Sequence, residues 1–463
     1  MKALPDNWAT APLGQFSGDC SQRVPGPRET FSYIDIASID RDSKTIKSPQ
    51  LLSGNDAPSR ARKHVHMGDV LVSMTRPNLN AVAMISQGLD GEIASTGFDV
   101  LRASHIDPRW LFYIVRTTEF VEKMMDTVQG ALYPAVRSKD IRSFEAPLAP
   151  RAEQKRIADK LDALLARVDA SRERLDRIPV LLQRFRRSVL AAAITGKLTE
   201  DWRQTEGVQA ASSIVTYDGD DIEIPGHWQV ASLRTLANPA RPLCYGVVQP
   251  GIDKEGGVPL VRVQDMEDGR ILTKDLRTIS DTVDAEYRRS RIKANDLLIS
   301  VVGTIGRIAI VPPGLEANIA RAIARVSCRE TVNSRWIKAW LSSDTLQWWM
   351  NRSSREVARK TLNLSELGDV TVALPPIDEQ NEIVRRVEAL FALVDRIEAR
   401  YKIARAKVDQ LTPALLAKAF CGELVPQDPN DEPASVLLER IRAERAAAGT
   451  SKPRRGRKAR ESA

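Results

Sequence analysis

Between positions 374 and 424, apolar residues return at alternating four- and three-residue steps: Ile383, Val387, Leu390, Val394, Ile397, Tyr401, Ala404, Val408, Leu411 and Leu415. A seam of this kind, held for about five heptads, predicts a long helix that packs along another helix. The same steps occur 226 positions earlier, at Ile157, Leu161, Leu164, Val168, Ser171, Leu175, Ile178, Leu182, Phe185 and Val189. The flanks repeat at that offset too. Leu148-Ala149-Pro150 answers Leu374-Pro375-Pro376, Glu153-Gln154 answers Glu379-Gln380, and Gly196-Lys197-Leu198 answers Gly422-Glu423-Leu424. Two copies of one long helix at one offset identify an internal duplication. If a pseudo-twofold axis relates the copies, the helices run head to tail.

Pro150 and Glu153 suit a helix N-terminus, and Gly196 suits its left-handed end. Such a helix is roughly 65 Å long at ~1.5 Å per residue. Pro179 is expected to kink or interrupt the first copy, and Pro413 the second.

Ahead of each helix the period changes to that of strands. In the first copy the runs are Phe31 to Ile36, Asp69 to Met74 and Ala81 to Ile85, with the polar turn Thr75-Arg76-Pro77-Asn78-Leu79-Asn80 between the last two. A helical run from Pro108 to about Asp126, the loop Gln129 to Lys139 and a strand from Ser143 to Leu148 follow. The second copy echoes this plan. Ile224-Pro225-Gly226-His227-Trp228 answers Leu4 to Trp8, Asn295 to Ser300 answers Gly68 to Ser73, and Ser334-Arg335-Trp336-Ile337 answers Pro108 to Leu111. Val302 to Arg307 replaces the polar turn, and Arg359 to Ser365 stands where Tyr133 to Lys139 stood. The framework repeats while the polar loops differ. One scaffold reading two ligands has this pattern, and so does drift of unconstrained loops.

The expected class is therefore α+β: two mixed, β-rich domains separated by two long antiparallel coiled-coil helices, duplicated about a pseudo-twofold axis. The expected segments are a first domain over 1–149, a first helix over 150–198 and a polar linker over 199–223. A second domain over 224–375, a second helix over 376–426 and a basic, disordered tail over 427–463 complete the chain.

Charge alters this picture little. The net charge is +8, but Lys452 to Arg460 carries six positive charges, leaving +2 elsewhere. Global charge therefore does not establish a nucleic-acid partner, and the tail reads equally as a solubilising end or a phosphate contact. Cys20, Cys244, Cys328 and Cys421 show no paired spacing, which points to a reducing cytoplasm and away from zinc or disulfides. No apolar run is long enough to span a membrane, so no membrane partner is expected. No phosphate-binding glycine loop, nucleophile elbow or His-Glu-x-x-His motif occurs. Gly303-Thr304-Ile305-Gly306 reads as a tight turn, and His64-Val65-His66 as surface polarity. The helix carboxylates sit beside Lys and Arg as solvated pairs. A stand-alone enzyme and a coiled-coil scaffold without DNA function remain the alternatives to a binding protein.

The duplicated plan, the entries Pro150 to Gln154 and Pro376 to Gln380, the endings Thr195 to Arg203 and Cys421 to Leu424, and the strand motif Gly68 to Ser73 with its copy at Asn295 resemble the specificity subunits of type I restriction–modification systems. The resemblance covers nearly all of the chain before about residue 430. It implies two target-recognition domains, each reading one half of a split site in double-stranded DNA, with the helices as the spacer between them. It also implies two methyltransferase subunits and restriction subunits as partners. Those partners carry S-adenosylmethionine, ATP and magnesium, and this chain holds no cofactor and no catalytic residue. Insertions between Gly196 and Arg203 are then expected to change the spacing and leave the half-sites alone.

Major-groove edges are read by Arg and Lys at guanine and by Asn and Gln at adenine. On that basis the first-domain candidates are Arg76, Asn78 and Asn80 of the turn and Gln129, Tyr133, Arg137 and Lys139 of the following loop. The second-domain candidates are Arg307, Ser354, Arg355, Arg359, Lys360 and Asn363, with Gln249, Arg262 and Gln264 on the same face.

Overall fold

A computed structural model of the chain describes residues 4–128, 134–208, 211–217, 219–267, 269–356 and 360–450. Its backbone divides into two units, one of Met1–Leu175 with Ile403–Ala463 and one of Asp176–Lys402. The helices that matter below are, in order, α1 (Pro108–Ile114), α2 (Thr118–Asp126), α3 (Arg151–Asp176), α4 (Ile178–Ile194), α5 (Ser334–Leu341), α6 (Asp344–Arg352), α7 (Ile377–Phe420) and α8 (Ala434–Thr450).

In the first unit a four-stranded sheet runs in the order Ser17–Gly18, Phe98–Ala103, Val70–Ser73, Val82–Met84. Its central strand is apolar at each position from Val70 to Val72, as expected for a strand covered on both faces. Ala9–Pro12 pairs antiparallel with Glu145–Leu148, and so ties the start of the unit to the entry of α3. The second unit repeats the order with Cys244–Tyr245, Ile323–Val326, Leu297–Ser300 and Ile308–Ile310. Gln229–Ser232 pairs antiparallel with Thr371–Leu374 at the entry of α7. A second sheet in each unit, four-stranded in the first and three-stranded in the second, contains a parallel pair, Thr30–Ile34 with Ile93–Ser95 in one and Val258–Val261 with Asn318–Ile319 in the other.

In each unit a part of α7 packs against an earlier helix. In the first, Arg172 of α3 pairs with Asp409 of α7 at 3.3 Å. In the second, Arg186 of α4 pairs with Asp395 of α7 at 2.6 Å. The seam is buried where a domain covers it, at Ile157, Leu161 and Val168 in the first unit and at Val189, Ile383, Val387 and Val394 in the second, while Leu164 is half-buried and its neighbour Leu165 takes the buried place. Farther from those covers it opens to water. Phe185 and Ile397 are exposed in the second unit, and Leu411 in the first.

The Glu-Gln pair at each helix entry is a fastener. Glu153, wholly buried, accepts from Trp8 Nε1 at 2.9 Å and from Gln427 Nε2 at 2.6 Å. Gln154 accepts from the Asp107 backbone at 3.1 Å and donates to the Ala149 carbonyl at 2.8 Å. Glu379 accepts from Trp228 Nε1 at 2.9 Å, and Gln380 accepts from the Asn333 backbone at 2.8 Å. These bonds join the first strand, the long helix and the cap of α1 or α5. Trp110 packs edge-on against Trp8 and Phe420, and Trp336 against Trp228, which adds about 1 kcal/mol per ring pair beyond burial. The glycine that ends each long helix meets a proline. Gly196 and Gly422 have φ of +70° and +74°, and a Cβ on them would run into the rings of Pro225 and Pro5.

Four expectations are corrected. The helical run from Pro108 to Asp126 is two helices, because Thr117 caps α2 by accepting from the Phe120 N–H at 3.2 Å. The first long helix breaks at Arg177, just before Pro179, but α7 continues through Pro413. The stretch read as a linker contains the short helix Glu200–Thr205 and the hairpin Ser212–Tyr217 with Asp220–Pro225. Val215, Tyr217, Ile222 and Ile224 of that hairpin are buried in the second core, a period-two signal hidden among acidic and polar neighbours. The stretch read as a disordered tail contains α8, whose Ala434, Leu437, Leu438 and Ile441 lie at three- and four-residue steps in the first core. No helix among the described residues is long and apolar enough to cross a membrane.

Candidate nucleic-acid interface

Two loops lock together at one edge of each four-stranded sheet. In the first unit, the Arg76 N–H donates to the Pro134 carbonyl and the Val136 N–H to the Met74 carbonyl, both at 2.8 Å. In the second unit, the Gly303 N–H donates to the Lys360 carbonyl and the Leu362 N–H to the Val301 carbonyl, both at 2.9 Å. The turn after a central strand thus meets the loop before a short helix in each copy. Arg137 and Asn363 begin those short helices, each donating its backbone N–H to the acid three residues on, Asp140 or Glu366. The backbone frame is the same, and the side chains it presents differ.

On the first frame Arg76, Asn78, Arg137 and Lys139 are exposed together. Arg76 sits at φ 49°, a left-handed conformation imposed by the tight entry to Pro77–Leu79. Asn80 departs from expectation. Its Nδ2 donates to the Val115 carbonyl at 2.7 Å, so the amide braces the turn against the end of α1 and does not face outward. Gln129 and Tyr133 lie outside the described residues.

On the second frame Lys360 is exposed, and Asn363 caps its helix. Arg307 occupies the place of Asn80 and, like it, braces. Its guanidinium donates to the carbonyls of Val263 and Met266 at 3.3 and 3.2 Å, tying the turn to the hairpin Met266–Ile271. Ser354 is buried and donates to the Asn351 carbonyl at 2.6 Å, which removes it from any reading surface. Arg262 is held by Asp265 at 3.0 Å. Gln264 and Gln249 are exposed, on the short turn before the Met266–Ile271 hairpin and on the loop after Val247. The backbone of Arg355 pairs with Thr361, and Arg359 lies outside the described residues.

Residues outside the sequence reading join these surfaces. Trp348 of α6 is 43% exposed, with the Arg352 guanidinium 5.0 Å over its ring. The neighbouring Gln347 donates to the Gly306 carbonyl at 3.0 Å, which places α6 against the turn. An aromatic and an arginine four apart on a short helix was the available signal. Lys44, on a hairpin turn of the first unit, donates to the Asn80 carbonyl at 2.6 Å. Its left-handed φ of 56° and its distance in sequence from the recognition loops concealed it.

The chain matches the family model of the type I restriction modification DNA specificity domain twice, over residues 44–180 and 249–405. It is 47% identical over 327 residues to the type I restriction enzyme EcoBI specificity subunit of Escherichia coli, covering 69% of this chain and 68% of that one. It is 30% identical over 405 residues to the EcoKI specificity subunit of Escherichia coli strain K12, covering 84% and 83%. A chain from a structure concerned with complex assembly and conformational transition of the type I restriction–modification system shares its fold. That likeness has a TM-score of 0.67 and 24% identity over 91% of this chain and all of the other. Two matched regions, each carrying one interlocked loop frame, and relatives covered over most of their length place this chain in the family of type I restriction–modification specificity subunits.

Proposed function

We propose that the chain reads a split DNA target for a type I restriction–modification complex, one half with each unit, and performs no chemistry itself. The observation that carries this reading is the repeated loop frame. The Arg76–Pro134 and Gly303–Lys360 backbone bonds hold equivalent edges that display different polar side chains. Phosphate contacts position a protein on a duplex and base contacts specify, so two differing displays suit two differing half-sites.

In this reading the long helices set the unspecified spacer. The 44 residues of α7 span about 66 Å, close to two ~34 Å turns of B-DNA. Val180, Leu181, Phe185 and Leu393 are exposed on the helix pair of the second unit, and such apolar faces suit docking of methyltransferase subunits. Restriction subunits complete the complex. S-adenosylmethionine, ATP and magnesium act in those partners, in the cytoplasm.

Methylation sequencing of cells with and without the gene tests this. A two-part methylated motif that disappears on deletion is the expected result. A methylome unchanged by deletion refutes the reading.

A further inference from the structure

Each unit also contains a pair of cations beside its loop frame; of the acids near Lys44, Asp40 pairs with Lys47, and Asp42 is exposed to solvent, which screens it. In the first unit, Lys44 Nζ bonds the Asn80 carbonyl, and Asn80 Nδ2 bonds the carbonyl of Val115, the residue before Arg116. The Arg116 guanidinium lies 4.8 Å from the Phe112 ring centroid and 5.4 Å from that of Tyr113. Its buried Nε has no hydrogen-bond partner among the described residues. Two carboxylates of α3 are in electrostatic range, but neither is available. Asp162 accepts from the Tyr113 hydroxyl and from Arg109, and Asp169 pairs with Arg172 at 3.0 Å. Burial, with Arg116 nearby, pushes the Lys44 ammonium down to about 8.

The second unit builds the same feature from different positions. Lys338 of α5 donates to the Gly269 carbonyl at 3.0 Å, on the hairpin that carries Arg270. Burial lowers the Lys338 ammonium as well; Glu388 opposes this, and Arg270 and Arg335 add to it. Here again the acids are engaged. Glu388 pairs with Arg335 at 2.5 Å, and Asp395 is shared, pairing with Arg186 at 2.6 Å and more loosely with Arg270 at 3.6 Å. In the first unit the lysine sits on the hairpin and the arginine follows the helix; in the second the elements exchange roles. Drift after duplication does not by itself keep two cations at one junction through such an exchange. Lys44, Arg116 and Lys338 are partly buried, where a cation gains from an incoming anion, while Arg270 is exposed and reaches solvent beside Lys338.

We propose that each pair takes a phosphate of the DNA backbone: Lys44 with Arg116 in the first unit, and Lys338 with Arg270 in the second. This rests on the reading that both units contact DNA. Both pairs adjoin the loop frames, through Asn80 in one unit and through the hairpin braced by Arg307 in the other. The contacts add affinity and register but no base preference.

The test uses the full chain assembled with its methyltransferase subunits, a duplex carrying the target and one with both half-sites scrambled. Substituting Lys44→Gln with Arg116→Gln should weaken binding to both duplexes by a similar factor, about tenfold, and flatten the slope of log affinity against log salt by about 1. Lys338→Gln with Arg270→Gln should do the same, and Arg116→Lys should keep the wild-type slope. A methylphosphonate scan with the wild-type complex should find a neutral linkage in each half-site that weakens binding. A wild-type slope in both double variants, a loss confined to the target duplex, or a scan with no sensitive linkage overturns the phosphate sites while target binding still stands. A wild-type complex that fails to prefer the target duplex overturns the DNA-reading function beneath them.

Discussion

Trp228 donates its indole N–H to Glu379 at 2.9 Å, as Trp8 does to Glu153, yet the two carboxylates behave oppositely. Burial pushes both up. At Glu379 the hydrogen bonds from Arg203, His227, Trp228 and Thr199 outweigh burial and hold the carboxyl below its ordinary range. At Glu153 burial prevails over Trp8 and Gln427, and the carboxyl is raised. Glu379→Gln strands the Arg203 guanidinium and should cost about 3 kcal/mol at neutral pH. Glu153→Gln should cost under about 1 kcal/mol. Glu379 contributes stability above the ordinary glutamate range and loses it as pH falls through its lowered value. The penalty of Glu379→Gln should therefore shrink toward pH 4. Glu153 holds its proton longer when folded, so its ionised form costs stability above its raised value, and any penalty of Glu153→Gln should grow as pH falls. Urea midpoints from pH 4 to 7.5, with hydrogen exchange to assign the unit that opens, check both signs.

Helix α8 belongs to the first core. Leu437 and Leu438 are buried there, and Arg156 pairs with Asp431 at 2.6 Å. Leu437→Ala should destabilise the first unit by about 2–4 kcal/mol, the usual loss for emptying a core leucine. Truncation after residue 426 should expose Trp8 and Trp110 and speed amide exchange in the first unit, leaving the second as it was. Equal exchange in both units after truncation would contradict this placement.

The framework was legible because its signals are periodic. The heptad steps of Ile383 to Leu415 and the apolar run Val70 to Val72 announce their partners without knowledge of the fold. Short elements were not legible. Val215, Tyr217, Ile222 and Ile224 form two brief alternations interrupted by Asp218, Asp220 and Asp221, and Leu437 to Ile441 give little more than one helical turn. Side-chain roles were the least accessible. Asn80 and Asn78 look alike in sequence, and only the carbonyl of Val115, 35 residues away, distinguishes a brace from an exposed amide.

The linker correction changes where an insertion acts. Arg203 bonds Glu379 at 2.7 Å and Asp201 bonds Arg386 at 2.6 Å, so Gly196 to Arg203 is clamped inside the second unit. Inserting four residues there should first lower the thermal midpoint of the second unit. A stable variant that shifted only the spacing of the methylated motif would show instead that this segment acts purely as spacer.

The contrast between bracing and displayed side chains gives the sharpest test of the interface. Arg76 and Asn78 are exposed and make no side-chain hydrogen bond among the described residues. Asn80 and Arg307 each bond protein carbonyls. Loss of a base contact costs about 1–3 kcal/mol at one base pair, and loss of a brace costs about 1 kcal/mol of fold stability without changing which base is preferred. Arg76→Ala or Asn78→Ala should therefore relax one half of the methylated motif at near-normal thermal stability. Asn80→Ala or Arg307→Ala should lower the midpoint of its own unit and keep both halves of the motif. Methylation sequencing of cells carrying each variant, with a melting curve of each purified complex, separates these outcomes. A relaxed motif from Asn80→Ala at unchanged stability would return that residue to the reading surface.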